Sequence, residues 1–379
     1  KFNFFVCKDT FLTPNIQFRI IIFTNMEIKE YKILGIMSGT SLDGVDIAWI
    51  HFSKGTQWEF KILKAETTAY SNLWKDKLST ALNLSPLELM ELDEEYTVYL
   101  ANLITNFIER YKIEDLDSVC SHGHTIKHEP ENGLTLQIGN LPELAELIGE
   151  TVICDFRVQD VALGGQGAPL VPIGDELLFT QYTYCLNLGG FANISTNKGG
   201  VRIAYDICAV NTVLNYYAKK LGYNYDEAGK IARSGKFNPA LNKRLEALPF
   251  YKLNSPKSLG IEWVNASVLP ILKDYEEDIP SLMNTYCHHI TSEMVKNIKD
   301  DPEVEVLVTG GGAFNTYLIE ILQKKTSAKI IIPSSEIVNF KEAVIFGFLG
   351  VLKMREEINV LRSVTGAEND HCAGLVYEA

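Results

Sequence analysis

A unit that occurs twice constrains this chain more than any other feature. "YKILGIMSGTSLDGVDIAWI", from Tyr31, reads as strand, glycine-bearing turn, strand, and "YCLNLGGFANISTNKGGVRIAYD", from Tyr184, repeats that order about 150 residues later. Glycine between two apolar runs permits a tight reversal. Two such hairpins, one opening each half, point to a duplicated α/β unit with a cleft between the halves. A pair of unrelated hairpins is the alternative, because strand-turn-strand is common.

The surrounding pattern agrees with an α/β architecture. "DIAWIHF", "DSVCSHG", "TVICDF" and "VEVLVTGGG" read as strands, set between longer helical patterns. In "SPLELMELDEEYTVYLANLITNFIERYK", Ser85 can cap a helix, Pro86 suits its first turn and Glu88 completes a capping box. Leu92, Tyr96, Leu100, Leu103 and Phe107 form its apolar stripe. "LMNTYCHHITSEMVKNIKD" and "KEAVIFGFLGVLKM" read as further helices, scaffold without chemistry. A chain of 379 residues exceeds one comfortable core, so two domains are expected.

A net charge of -13 argues against a nucleic-acid backbone or an anionic membrane as partner. The seven cysteines form no CxxC pair and sit inside apolar runs, which suits a reducing compartment, the cytoplasm. The first 25 residues differ in character from the chain that begins at Met26. They read as an extension outside the fold, with an extra strand or anchor as the alternative. No stretch reaches the ~18 uninterrupted apolar residues of a membrane span.

The first turn fails the known phosphate-loop patterns. GxxxxGK[ST] and GxGxxG are absent, and Asp43 stands where a GxSxG elbow needs glycine. What is left is a turn whose Gly39, Thr40 and Ser41 can donate to phosphate oxygens, with Asp43 and Asp46 placed to hold a hydrated Mg²⁺. A merely tight hairpin is the rival. "VTGGGAFN" closes a strand before a helix, where amides suit an anion or a planar ring. "CSHGHTIKHEP" offers His122, His124 and His128, open to three readings: zinc ligands, a substrate-contacting turn, or satisfied structural histidines. His288 and His289 read as structural or solvent-facing. In "CDFRVQDVALGGQGAPLVP", Arg157 and Gln166 can recognise ligand oxygens while Gly164, Gly165 and Gly167 let backbone approach. Asp206, at the end of a strand and five residues before Asn211, is a general-base candidate with helix capping as its rival.

Together "GIMSGTSLDGVD", "HGHTIKHEP", "LQIGN", "DFRVQDVALGGQGAPLVP", "LNLGGFANIS", "YDICAVN", "PKSLG", "VTGGGAFN", "KEAVIFGFLG" and "RSVTGA" resemble the anhydro-N-acetylmuramic acid kinases, of the acetate and sugar kinase, Hsp70 and actin superfamily. The likeness runs from about Tyr31 to the end. It implies a two-domain actin-like ATPase fold, ribonuclease H-like in each half, with ATP in the interdomain cleft. Residues 26–155 with about 340–379 would form one domain and about 156–339 the other. Gly39, Thr40, Ser41, Leu42, Asp43, Gly44, Val45 and Asp46 would surround the γ-phosphate, Gly189 and Gly190 the second phosphate turn, and Gly310, Gly311 and Gly312 the adenosine. Asp43 would reach Mg²⁺, directly or through water.

The resemblance further implies a cytoplasmic enzyme of murein recycling. Asp206 would be the base that activates water against C1 of 1,6-anhydro-N-acetylmuramic acid, while O6 takes the phosphate from ATP. His122, Arg157, Gln166 and Glu342 would contact the sugar, and a homodimer is left open. Three departures stand out: "DICAVN" for the family's common "DTGPGN", His124 for a frequent glutamine, and Asn140 for an aspartate. The rivals are another sugar or carboxylate kinase of the superfamily, an ATP-dependent binding module, and a zinc hydrolase.

Overall fold

In the computed structural model the described residues are 29–379, and the stretch 1–25 lies outside them. β1 (Lys29–Ser38) and β2 (Gly44–Lys54) pair antiparallel, and β3 (Trp58–Ala69) adds to β2 in the same sense. The chain then crosses over through the helix Pro86–Tyr111, so β4 (Ser118–Glu129) returns parallel to β1. β5 (Leu134–Ile138) folds back on β4, and β6 (Val152–Cys154) extends the sheet parallel to it. The second sheet comprises β7 (Tyr184–Leu188), β8 (Phe191–Lys198) and β9 (Val201–Ala209) in an antiparallel meander, then β10 (Glu305–Thr309) and β11 (Lys329–Ile331) parallel to β7 and to each other. β12 (Leu375–Tyr377) closes the edge of the first sheet beside β6.

The two sheets therefore run β3-β2-β1-β4-β6 and β9-β8-β7-β10-β11, the same order with the same parallel and antiparallel joints. The chain adopts the two-domain actin-like ATPase fold, and the repeated hairpin of the sequence is β1–β2 in one half and β7–β8 in the other.

The helix Pro86–Tyr111 has its capping box in place, with Ser85 and Glu88 satisfying each other's backbone amides. Leu92, Tyr96, Leu100 and Phe107 are buried as the spacing predicts, but Ile104 completes the stripe and Leu103 is only half-buried. The helix Ser335–Met354 is buried almost throughout from Lys341 to Leu352. A Cβ on Gly35 would stand 2.1 Å from the Ala343 carbonyl oxygen, so β1 must be bare where this helix crosses it. Around it one apolar core joins Phe52 and Cys120 of the first sheet, Cys185 and Leu307 of the second, and Phe346 and Phe348 of the helix itself. The halves are thus packed on a shared element. The Lys341 ammonium lies 2.5 Å from the Asp175 carboxylate and is buried with it.

"HGHTIKHEP" is not the turn its glycine, threonine and proline suggested. β4 continues through it to Glu129, with a bulge at Gly123 (φ 71°) where pairing with β1 jumps from Ile36–Ser121 to Ser38–His124. Of the six cysteines among the described residues, all are free and only Cys372 is not fully buried. No helix among the described residues is long and apolar enough to cross a membrane.

Candidate active site

The β1–β2 turn opens onto a cavity of about 1020 Å³ between the two halves. Ser41 and Asp43 line it from the first half, and Asn211, Gly311, Phe314 and Asn315 from the second. The turn closes with the Leu42 amide donating to the Gly39 carbonyl at 3.3 Å. Leu42 holds φ at 58°, a left-handed conformation that costs a side-chain-bearing residue roughly 1 kcal/mol or more and concentrates at functional sites. Not all of the turn faces the cavity. A Cβ on Gly44 would meet the Thr68 carbonyl oxygen at 2.3 Å, and Val45 is in the core, so these two hold the hairpin.

The second and third glycine groups divide in the same way. Gly189 and Gly190 brace the helix Asn211–Lys220: the Val210 amide donates to Gly190 O at 2.8 Å and the Asn211 amide to Gly189 O at 3.3 Å. Asn211 Nδ2 donates to Leu188 O at 3.2 Å, tying the cavity wall to the end of β7. Gly310 (φ 78°) and Gly312 lie against Asn187 and Leu188, where a Cβ would approach to 2.5 and 2.7 Å. Gly311 between them lines the cavity.

Beside the turn lies a cluster of interacting charges. Arg157 Nε donates to His122 Nε2 at 2.9 Å and Arg157 Nη1 to Gly167 O at 2.7 Å. Burial and then Arg157 hold the His122 imidazole well below the usual histidine range, so it is neutral. Burial brings the Arg157 guanidinium down to about 10, against the pull of Glu342 and Asp160. Desolvation by the surrounding protein pushes the Glu342 carboxyl up although the side chain is open to solvent, opposed by Arg157 and Lys341. Asp46 is raised to about 6, first by burial and then by Glu342 and Asp43, although Thr67 donates to it at 2.5 Å. Charge interactions therefore run in a chain from Asp46, beside Asp43, to Glu342, to Arg157 and to His122.

Gln166 stands apart from that cluster. Its side chain is exposed, and its amide donates to Thr365 O at 2.8 Å. The loop around it is fixed from below by Asp160, which accepts from the Gly167 amide and from Thr365 Oγ1, each at 2.7 Å. The other histidines have structural partners: His124 Nδ1 meets Ser38 Oγ at 2.7 Å and His128 Nδ1 meets Thr135 Oγ1 at 3.1 Å. No group of three or more His, Cys, Asp or Glu among the described residues is arranged to hold a metal by itself, and the engaged imidazoles leave the zinc reading without a ligand set. His289 is buried and His288 half-buried.

Asp206 lies inside β9 rather than at its end. The "ICAV" immediately after it is wholly buried, and these apolar residues extend the strand past Asp206 to Ala209. Helix capping is not its role, since the next helix begins after Val210 with no side-chain cap. The Asp206 amide donates to Lys257 O at 2.9 Å, and its Oδ2 accepts from the Leu259 amide at 2.8 Å. Its carboxyl is half-buried and raised by that burial, against the Leu259 amide. None of Asp43, Asp46 or Glu342 is among the charges it senses.

The sequence reading missed the wall formed by Tyr225 to Ala228. Asp226 accepts from the Ile231 and Ala232 amides at 2.8 and 2.9 Å, and Ala228 and Gly229 both hold positive φ. The signal in the sequence is an aspartate and a glycine just before a helical pattern in "DEAGKIA".

The anhydro-N-acetylmuramic acid kinase family profile matches residues 31–379. The anhydro-N-acetylmuramic acid kinase of Mannheimia succiniciproducens is 32% identical over 379 residues, spanning 92% of this chain and 99% of its own. That of Shewanella sp. (strain W3-18-1) is 34% identical over 381 residues, spanning 93% and 100%. Among solved structures, component A of the Acidaminococcus fermentans (R)-2-hydroxyglutaryl-CoA dehydratase matches 83% of this chain and 95% of its own, with a TM-score of 0.43 at 12% identity.

Proposed function

This chain belongs to the anhydro-N-acetylmuramic acid kinase family, and from that premise we propose how its residues share out the family's reaction. It is an ATP-dependent phosphotransferase of murein recycling. It opens the 1,6-anhydro bond of 1,6-anhydro-N-acetylmuramic acid with water and phosphorylates O6, giving N-acetylmuramic acid 6-phosphate and ADP. The observation that carries the reading is the cavity in which Ser41 and Asp43 oppose Asn211 and Gly311 across the two halves.

In this reading residues 26–155 with about 340–379 form one domain and about 156–339 the other. Gly39, Thr40 and Ser41 donate to the γ-phosphate and Gly311 lies against the nucleoside. Asp43 would hold Mg²⁺, directly or through water. The fit rests on the crowded carboxylates: Asp46 is raised to about 6 beside Asp43 and Glu342, an excess of negative charge that suits a cation shared with phosphate oxygens. When bound, Mg²⁺ offsets charge on the phosphoryl oxygens.

Asp206 takes the proton from the water that attacks C1. The C1–O6 bond breaks, and O6 forms its bond to the γ-phosphorus as the bond to the ADP oxygen breaks. The Leu259 amide fixes Asp206 Oδ2, which leaves Oδ1 to receive the proton. Arg157 and Glu342 flank the sugar, with His122 orienting Arg157 and Gln166 reaching in from its loop. The test is ATP-dependent turnover of the anhydro sugar in ¹⁸O-labelled water, with the product weighed by mass spectrometry. One labelled oxygen at C1 and one phosphate are expected. A phosphorylated product without the label removes the role given to Asp206.

A further inference from the structure

One buried group next to the phosphate turn has no part in the proposed reaction. β4 places His124 opposite Ser38, the last residue before Gly39, and close enough to His122 to lower its pKa. A row of hydroxyls ends on this imidazole. Tyr96 Oη meets Tyr70 Oη at 2.6 Å, Tyr70 Oη meets Ser38 Oγ at 2.6 Å, and Ser38 Oγ meets His124 Nδ1 at 2.7 Å. All four residues are at most 4% exposed, so none of these hydroxyl protons can be left to water.

One direction of the row satisfies its far end. The Tyr96 hydroxyl is fully buried and bonds Tyr70, while Ser38 bonds Tyr70 and His124. If Tyr96 only accepted, its proton would be buried without a partner, at a cost of about 1–3 kcal/mol. A row in which Tyr96 donates to Tyr70, Tyr70 to Ser38 and Ser38 to Nδ1 gives every hydroxyl proton an acceptor. That leaves Nδ1 without a proton and puts the ring proton on Nε2. Burial holds the imidazole at a pKa of about 4, so the ring is neutral at pH 7. Nε2 has no hydrogen-bond partner among the described residues, and unlike both nitrogens of His289 it is not enclosed.

We propose that His124 is a specificity-determining residue of the sugar site: its ring is fixed as the Nε2–H tautomer and offers an uncharged donor to a hydroxyl or amide carbonyl oxygen of the sugar. This rests on the proposed function for the identity of the ligand, and on the hydroxyl row alone for the tautomer. The two parts are therefore tested separately.

The tautomer is read from the free wild-type protein carrying ¹⁵N-labelled histidine, where the shifts of the two ring nitrogens separate the protonated from the bare one. A bare Nδ1 is expected. A protonated Nδ1, as in a closed ring with Ser38 donating back to Tyr96, or an imidazolium at neutral pH, overturns the assignment. The ligand contact is read from the KM for the anhydro sugar. His124→Gln can place an amide N–H near the position of Nε2, whereas the shorter His124→Asn reaches only the position of Nδ1. His124→Asn is expected to raise the sugar KM about tenfold, the effect of one lost hydrogen bond, while His124→Gln restores it to within about threefold. ATP KM should move less than about twofold in both. Equal sugar KM values in the two variants overturn the contact. Absence of any turnover on the anhydro sugar in wild type instead removes the function reading, and with it the named ligand, while the labelled spectrum still decides the tautomer.

Discussion

In the first half, the turn between β1 and β2 runs from Gly39 to Asp43 and carries two hydroxyls, an aspartate and a left-handed leucine. In the second half, the equivalent turn between β7 and β8 is Gly189–Gly190 alone, braced against the helix that starts at Asn211. Both lie on sheets of one strand order. The shared order is dictated by packing, since each meander and its parallel pair must bury one face against helices. The turns are free of that demand and have diverged. Acidic groups gather at the first half's turn, where burial and then Glu342 and Asp43 raise the cost of ionising Asp46. Asp206 belongs to the second half and senses none of them. In the proposed reading phosphate handling and proton removal therefore fall on different halves.

The strongest way to break that separation is Asp206→Asn. Turnover should fall by about 10²-fold or more, the usual effect of losing a general base, while ATP affinity stays within about twofold. Retained turnover, or a loss of ATP binding measured by calorimetry, would place both tasks on one half. The glycines give a finer contrast. Gly310→Ala forces a Cβ to 2.5 Å from Asn187 at a φ of 78°, so about 2 kcal/mol or more of stability should be lost in urea unfolding. Gly39→Ala meets only Ser41 Oγ, at 3.6 Å, and should leave stability within about 0.5 kcal/mol. Its expected effect is on ATP instead, a KM raised about tenfold by the methyl standing where a phosphate approaches. An unchanged ATP KM would show that the first turn does not hold phosphate.

The same contrast explains what the sequence made legible. The duplicated α/β unit could be anticipated because hydrophobic alternation and the repeated hairpin both report packing, which is local in sequence. The capping box at Ser85 and Glu88 was readable for that reason, and Ile104 replaced Leu103 only because a stripe of period 3.6 leaves either position close to the core. The members of the charge cluster were named from motifs and resemblance, but their contact with one another was not readable. Glu342 is separated from Asp46 by almost 300 residues and starts a run that looked like pure scaffold. His122 and His124 looked like turn residues, because a bulged strand and a turn both need the glycine between them. At Asp206 the apolar "ICAV" is the signal of a longer strand, which the reading of Asp206 as the strand's end left out.

The smallest effect expected is one of sign, at Asp46. Its carboxyl titrates at about 6 in the folded protein and near 3.8 when exposed, because burial and the neighbouring carboxylates resist its charge. Between those values the folded chain binds more protons than the unfolded one, so this group's contribution to stability falls as pH rises through the window and stays lost above it. The buried histidines act in the opposite sense. His124, lowered to about 4, takes up its proton more readily when unfolded, so its contribution rises with pH between about 4 and 6.5. A plain stability profile mixes the two, but the difference between wild type and Asp46→Asn cancels the histidines. The variant should gain on wild type as pH rises from about 4 to about 6 and then hold level, reaching about 1 kcal/mol once solvent screening of this part-exposed carboxyl is counted. A gap that is flat with pH would mean that Asp46 ionises freely, and that the first half does not concentrate negative charge at its turn.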